Sequence, residues 1–155
     1  MRTASIVPST NIAQAFSGFT SDGSTVENLQ FIFNFNSTGE GSFWLEARDG
    51  SDRATYFNNG STISAAQSES FPRTKVLSGL YSHAAPYVTL RANGQEVSRN
   101  ITGVTGGSFL SSPLGIGIQS NSDTRSLNGD LYMLAVRFGD DLESSTIGEV
   151  EDYIA

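Results

Sequence analysis

The chain has 155 residues, sixteen acidic and nine basic side chains, a net charge of −7 and no cysteine. A domain of that length buries roughly 68–70% of its unfolded surface, and the missing cysteine excludes disulfides, thiolate metal sites and a cysteine nucleophile together. The few scattered Lys and Arg argue against a nucleic-acid surface, which needs them clustered.

No stretch approaches the ~20 apolar residues of a transmembrane helix, so membrane insertion is not expected. The first ten residues lack the apolar core of a signal peptide. Residues 1–25 are polar and mixed, with Gly18, Asp22-Gly23 and Ser24 reading as turns. This segment is expected to be an edge strand or an arm lying on a neighbouring subunit. Gln30 to Asn36 alternates, with Phe31, Phe33 and Phe35 on one face and Ile32 as the apolar exception on the other. That pattern predicts a half-buried antiparallel strand whose three phenylalanines wall the core. After a Gly-containing turn, Phe43, Leu45 and Ala47 point one way and Trp44, Glu46 and Arg48 the other, completing a hairpin.

Asp49-Gly50 and Asn58-Asn59-Gly60 mark turns around two further β-like runs, 53–57 and 61–66. Thr74–Tyr81 follows, then Tyr87–Ala92 with Val88, Leu90 and Ala92 inward and Tyr87, Thr89 and Arg91 outward. Asn93-Gly94 turns the chain into Gln95–Ile101, with Val97 and Ile101 on one side. The 104–107 segment reads as a loop. Leu114, Ile116 and Ile118 alternate again, and Gly115 and Gly117 suggest that something packs closely over their face. Short strands at this spacing predict an all-β fold, two packed antiparallel sheets making a single β-sandwich over residues 1–155.

The closing stretch is the most informative. Leu131-Tyr132-Met133-Leu134-Ala135-Val136-Arg137-Phe138 is a nearly continuous apolar run and reads as a strand covered on both faces. Past Gly139-Asp140-Asp141 the spacing becomes helical over 144–154. Thr146 and Glu149 have the form of a capping box, and Ile147, Val150 and Ile154 form a stripe bordered by Tyr153.

Asn128-Gly129-Asp130-Leu131-Tyr132, Leu134, Val136-Arg137-Phe138, Leu142 and Glu149-Val150-Glu151-Asp152-Tyr153 together resemble the C-terminal signature of laminin-G-like, concanavalin-A-like jelly-roll domains. The Val88–Val97 hairpin and Leu114-x-Ile116-Gly117 match the same pattern. The resemblance covers residues 87–155 and is closest to versions found in bacteriophage structural proteins. It implies a jelly roll with a short C-terminal helix.

The superfamily includes glucanases, whose strand-borne Glu-x-Asp-x-Glu triplet supplies two carboxylates ~5–5.5 Å apart. No such triplet lies on a strand here; Glu149 and Glu151 fall on the helix, on different faces, and Asp141 and Glu143 read as solvated acids before it. His83, the single histidine, has no Gly-x-Ser-x-Gly partner and reads as an ordinary loop residue. No catalytic residue and no obligatory cofactor is expected. The family resemblance raises calcium, for which Asn121, Asp123, Asn128 and Asp130 are weak candidates; the same residues make turns. For a glycan or a subunit contact, the candidates are Trp44, Tyr56, Asn58 and Asn59, with Tyr87 and Arg91 elsewhere. Three Asn-x-Ser/Thr triplets begin at Asn36, Asn59 and Asn100 and matter only for a eukaryotic secreted protein.

Read as a complete Met-started chain, the protein is expected to be a non-enzymatic virion component of a bacteriophage, a capsid decoration (cement) protein or a tail-fibre domain. Its partners would be copies of itself, a trimer among the options, and other virion proteins at the virion surface. The alternative is an extracellular carbohydrate-binding, lectin-like module that attaches to cell-surface glycans.

Overall fold

The computed structural model describes residues 1–22, 29–36, 40–48, 50–58, 60–70, 73–83, 87–102, 107–118 and 126–155, and only the backbone of Leu29 and Asn58. Most of the 104–107 segment lies outside them. Among the described residues the strands are β1 Arg2–Ile6, β2 Ile12–Ser21, β3 Leu29–Phe35, β4 Phe43–Arg48, β5 Ser51–Asn58, β6 Ser61–Ser68, β7 Arg73–Ser82, β8 Tyr87–Ala92, β9 Gln95–Asn100, β10 Ser112–Ile116 and β11 Leu131–Phe138. One helix follows, α1 Ser144–Ile154. A six-stranded sheet runs β1-β10-β3-β4-β5-β6 and a five-stranded sheet runs β11-β2-β7-β8-β9. The result is the expected two-layer antiparallel sandwich with a short C-terminal helix.

The core lies between the sheets. Phe33, Phe35, Phe43, Leu45 and Tyr56 face Ala13, Ala15, Phe19, Leu77, Tyr81, Val88 and Leu90. Phe43 sits at its centre, with ring centroids 4.9 Å from Tyr81, 4.9 Å from Phe109 and 5.0 Å from Phe35. Aromatic pairs in such tilted contacts add ~0.5–1.5 kcal/mol each beyond their buried area. The Tyr81 hydroxyl crosses the sandwich and donates to the Trp44 carbonyl at 2.8 Å.

Phe31 departs from the expected three-phenylalanine wall. A β-bulge between Phe31 and Phe33 puts Phe31 opposite Glu46, on the outer face, and sends Ile32 into the core. The extra residue explains the apolar exception in an otherwise alternating strand. The Asn93-Gly94 turn has positive φ at both positions, 48° and 83°, as its two-residue hairpin requires.

The N-terminal segment divides in two. β1 is the outer strand of the six-stranded sheet and pairs with β10. β2 instead runs between β11 and β7 and is buried along most of its length. α1 lies on its outer side, where Ile147, Val150 and Ile154 meet Phe16 and Leu80. A Cβ on Gly18 would stand 2.6 Å from Ile154 Cγ2, so the glycine lets the helix end approach the sheet. The predicted capping box does not form: Glu143 is the N-cap residue and makes no side-chain cap bond. Tyr153 is exposed.

Two further expectations change. β11 is an edge strand whose residues are partly buried or exposed, so it is not covered on both faces. At Gly117 the nearest atom to a Cβ would be Leu127 Cβ at 4.0 Å, and the glycine answers to a φ of 65° rather than to close packing. Val97 and Ile101 are exposed at the β9 edge.

Charge is buried at one end of the interior. Asp52 pairs with Arg73 at 2.5 Å and with Lys75 at 3.1 Å, and it accepts from Gln67 Nε2 at 3.1 Å. Lys75 also holds Glu69 at 2.5 Å, and its ammonium keeps that carboxyl below the usual range. At the other end His83 is wholly buried between the rings of Tyr56 and Phe109, so it is a core residue and not an ordinary loop histidine.

Candidate binding site

Register assigns the faces of the six-stranded sheet. Phe43, Leu45 and Ala47 go to the core, so Trp44, Glu46 and Arg48 face outward, as the sequence alternation predicts. Residues directly opposite share a face. Thr55 and Arg53 of β5 therefore join Trp44 and Glu46, Ser64 of β6 joins Thr55, and Asn34 and Phe31 of β3 share the same face. Phe31, Asn34, Glu46 and Thr55 are buried on it, and Trp44, Arg53 and Ser64 are partly exposed.

Trp44 is held in place on this face. Its Nε1 donates to Glu46 Oε2 at 3.0 Å, and its ring lies 6.4 Å from that of Phe31. Arg48 Nη1 stands 3.7 Å from Glu46 Oε1. Thr55 and Ser64 share a hydroxyl hydrogen bond of 2.9 Å. Arg53, directly across from Glu46, has a shielded Nε with no hydrogen-bond partner. Two guanidinium groups thus flank one carboxylate on this face, in a chain whose net charge is −7. Glu46 is the one carboxylate that the register places here among the described residues.

The other sequence candidates divide. Tyr56 points into the core, opposite Phe43, and is unavailable to a ligand. Burial pushes its phenol up to about 12. The Asn58 side chain and all of Asn59 lie outside the described residues, as do Asn121 and Asp123. Asn128 and Asp130 brace the end of β2: Asp22 N–H donates to the Asn128 carbonyl at 3.0 Å, and Thr20 N–H to the Asp130 carbonyl at 2.8 Å. Among the described residues no three His, Cys, Asp or Glu gather as metal ligands.

Tyr87 and Arg91 share the outer face of the five-stranded sheet and line a groove of about 170 Å³ between β8, β9 and α1. Both are already engaged. The Tyr87 hydroxyl donates to Asp141 Oδ1, and its ring carries the Arg99 guanidinium 4.8 Å from the centroid. Burial, then the Asp141 bond, raises the Tyr87 phenol well above its usual range. Arg91 forms a two-bond ion pair with the buried Glu151, which leaves it holding the helix rather than facing a ligand. Asp141 is correspondingly a hydrogen-bond acceptor and not merely a solvated acid.

Arg48, Arg53 and Glu46 were not among the sequence candidates, although their position was within reach. Trp44, Glu46 and Arg48 alternate on one strand, and the Asp49-Gly50 turn signal in the sequence predicts the pairing of Arg48 with Ser51 that is observed. Counting back from that pair places Arg53 beside Glu46.

No protein-family model matches the chain, and no curated protein matches it. Solved structures do. The heptameric SAP-like pentraxin of Limulus polyphemus superposes with a TM-score of 0.74 at 14% identity, over 97% of this chain and 74% of that one. The CBM40 of the Ruminococcus gnavus IT-sialidase matches with a TM-score of 0.67 at 12% identity, over 97% of this chain and 98% of that one. Domains LG4-5 of the mouse laminin alpha1 chain match with a TM-score of 0.63 at 17% identity, over 86% of this chain and 38% of that one. A botulinum neurotoxin serotype C1 binding domain gives 0.68 at 13% identity, over 92% and 37%. The chain therefore spans little more than a third of the laminin and toxin chains. None of these is a phage protein, and at such identities the likeness is one of fold. On its topology and these superpositions, the chain has the concanavalin-A-like jelly-roll fold.

Proposed function

We propose that the chain is a non-catalytic binding module for acidic glycans, held on the outer face of the six-stranded sheet around Trp44. The observation that carries this reading is Arg53, whose Nε has no hydrogen-bond partner beside an indole already fixed by Glu46 and Phe31. A sugar ring stacks on the indole, and a guanidinium fork donates two parallel hydrogen bonds to a carboxylate. Among the described residues Glu46 is the one carboxylate that the register places on this face, which fits binding better than hydrolysis by a pair of acids. Two neighbours lend support: a CBM40 that belongs to a sialidase, and a type C botulinum neurotoxin whose cell entry depends on two ganglioside molecules. The module would work outside a cell.

The single tryptophan reports on the site directly. Titration with an acidic sugar is expected to change its fluorescence, a neutral analogue to do so far less, and Arg53→Gln to remove the response. A panel of acidic and neutral glycans that leaves the emission unchanged would overturn the reading. The side chains involved are strand-borne, so binding in EDTA is expected to equal binding in calcium.

A second reading, a bacteriophage capsid decoration or tail-fibre component, keeps the resemblance of the closing motif. The half-buried apolar side chains along β11 favour subunit contacts of that kind. Mass spectrometry of purified particles that fails to find the chain would remove it.

A further inference from the structure

Each sheet of a sandwich has two edges, and three of the four are protected against further pairing. Ser98 and Asn100 of β9 reach across to β6, where Ser98 Oγ accepts from the Ala66 N–H at 3.2 Å and Asn100 Nδ2 donates to the Ser64 carbonyl at 3.1 Å. β9 carries Glu96 and Arg99 and is broken by a bulge against β8. β1 is short and mostly polar. Such devices are how sheets avoid pairing at their edges.

β11 is the least guarded of the four: it has one bulge, near its start between Leu131 and Met133, and one charge, Arg137, whose Nη1 donates to Gln14 Oε1 and the Asp140 carbonyl. It is eight residues long, without Lys or Pro, and β2 is its one neighbour among the described strands. Leu131, Leu134 and Val136 pack toward the core yet remain only partly buried. The Gly139 N–H bonds the Ile12 carbonyl. By the alternation of an antiparallel ladder, the N–H and C=O of Leu134 and Val136 then point away from β2.

We infer that β11 pairs antiparallel with β11 of a second copy, about a two-fold axis at Leu134, joining the two five-stranded sheets into one. The existing bulge sets the register, because Tyr132 is an extra residue between Leu131 and Met133. Counting outward from the axis, Met133 stands opposite Ala135 of the second copy, Leu131 opposite Val136, and Asp130 opposite Arg137. Asp130 and Arg137 each neighbour a core-facing residue, so both project on the outer side, and both are exposed. The two-fold axis makes this pairing twice, with opposite charges across the new ladder each time. A register slip by one residue would put apolar side chains against the outer face and lose both ion pairs. The outer face around Trp44 belongs to the other sheet and takes no part in this pairing, so the dimer and the glycan reading stand or fall separately.

Sedimentation equilibrium of the unaltered chain is expected to give twice the monomer mass. Asp130→Arg, an exposed substitution, should weaken association roughly tenfold or more by opposing like charges, and adding Arg137→Asp should restore it. Since the chain has no cysteine, an oxidised mixture of Met133→Cys and Ala135→Cys chains should yield a disulfide-linked dimer that neither variant yields alone. Circular dichroism of each variant is the check that it is folded. Monomer mass at every loading concentration would overturn the inference, as would Asp130→Arg with unchanged association. A dimer that forms without the mixed cross-link would overturn the register and with it the proposed pairing.

Discussion

Arg91 and Glu151, sixty residues apart in the chain, meet side by side: Nε donates to Oε1 at 2.9 Å and Nη2 to Oε2 at 3.0 Å. The same Nη2 also reaches the Gly94 carbonyl at 2.7 Å. One arginine thus ties the helix to β8 and to the β8–β9 turn. The helix lacks a side-chain cap at its start, so this pair and the apolar stripe hold it to the sheet.

Arg91→Ala leaves the buried Glu151 carboxylate without its cation. The expected loss is about 3 kcal/mol, because removing one partner of a buried pair costs more than replacing both. The double replacement Arg91→Met with Glu151→Leu should recover most of it. Urea midpoints at unchanged slope measure both.

Gly18 and Ile154 form the second anchor of the helix. Gly18→Ala puts a methyl 2.6 Å from Ile154 Cγ2, and overpacking of this kind costs about 1–3 kcal/mol. Ile154→Ala opens space for the added methyl. The double variant should therefore be more stable than the sum of the two single losses predicts, a coupling that a double-mutant cycle reads directly.

How far the residues announced this arrangement depends on whether local pattern or distant partners decided it. Val88, Leu90 and Ala92 go inward while Tyr87, Thr89 and Arg91 go outward, since one period-2 alternation and an Asn-Gly turn are sufficient. The helix over 144–154 was equally legible. β2 was not: Ala13, Ala15, Ser17 and Gly18 are small, both faces are covered, and neither alternation nor bulk marks the strand. Phe31 was misplaced because a bulge resets the alternation without leaving a sign in composition. Arg91 and Tyr56 were read as surface groups, and only the chain's return, through Glu151 in one case and Phe43 in the other, shows why each is committed.

Asp52 is the clearest case of a residue explained by tertiary partners. It sits inside the sandwich because Arg73, Lys75 and Gln67 converge on it. Asp52→Ala leaves two cations without this carboxylate in a desolvated interior, and a loss of about 3–5 kcal/mol is expected. Asp52→Asn keeps the shape and should lose less. Thermal or urea unfolding of both variants tests the order.

Tyr56 gives the opposite sign. Its hydroxyl is buried and has no hydrogen-bond partner, so it incurs a desolvation cost that nothing offsets. Tyr56→Phe should therefore raise stability by about 1 kcal/mol at neutral pH. The gain should grow in alkali. Burial pushes the phenol from 10.0 up to about 12 in the folded chain, so the folded state holds the proton after the unfolded state has released it. Its contribution is complete below the unfolded value and is lost as pH rises through the folded one. Over that window the unaltered chain should lose about 1.4 kcal/mol per pH unit through this group, whereas the Phe variant does not. Tyr81 also ionises with difficulty, so some alkaline loss remains in both proteins. Its own Phe variant should lower stability, since the bond to the Trp44 carbonyl is lost. Urea unfolding at pH 7 and again at several points between 10 and 12 separates the two tyrosines, and a Tyr56→Phe chain less stable than the original at neutral pH would refute the assignment.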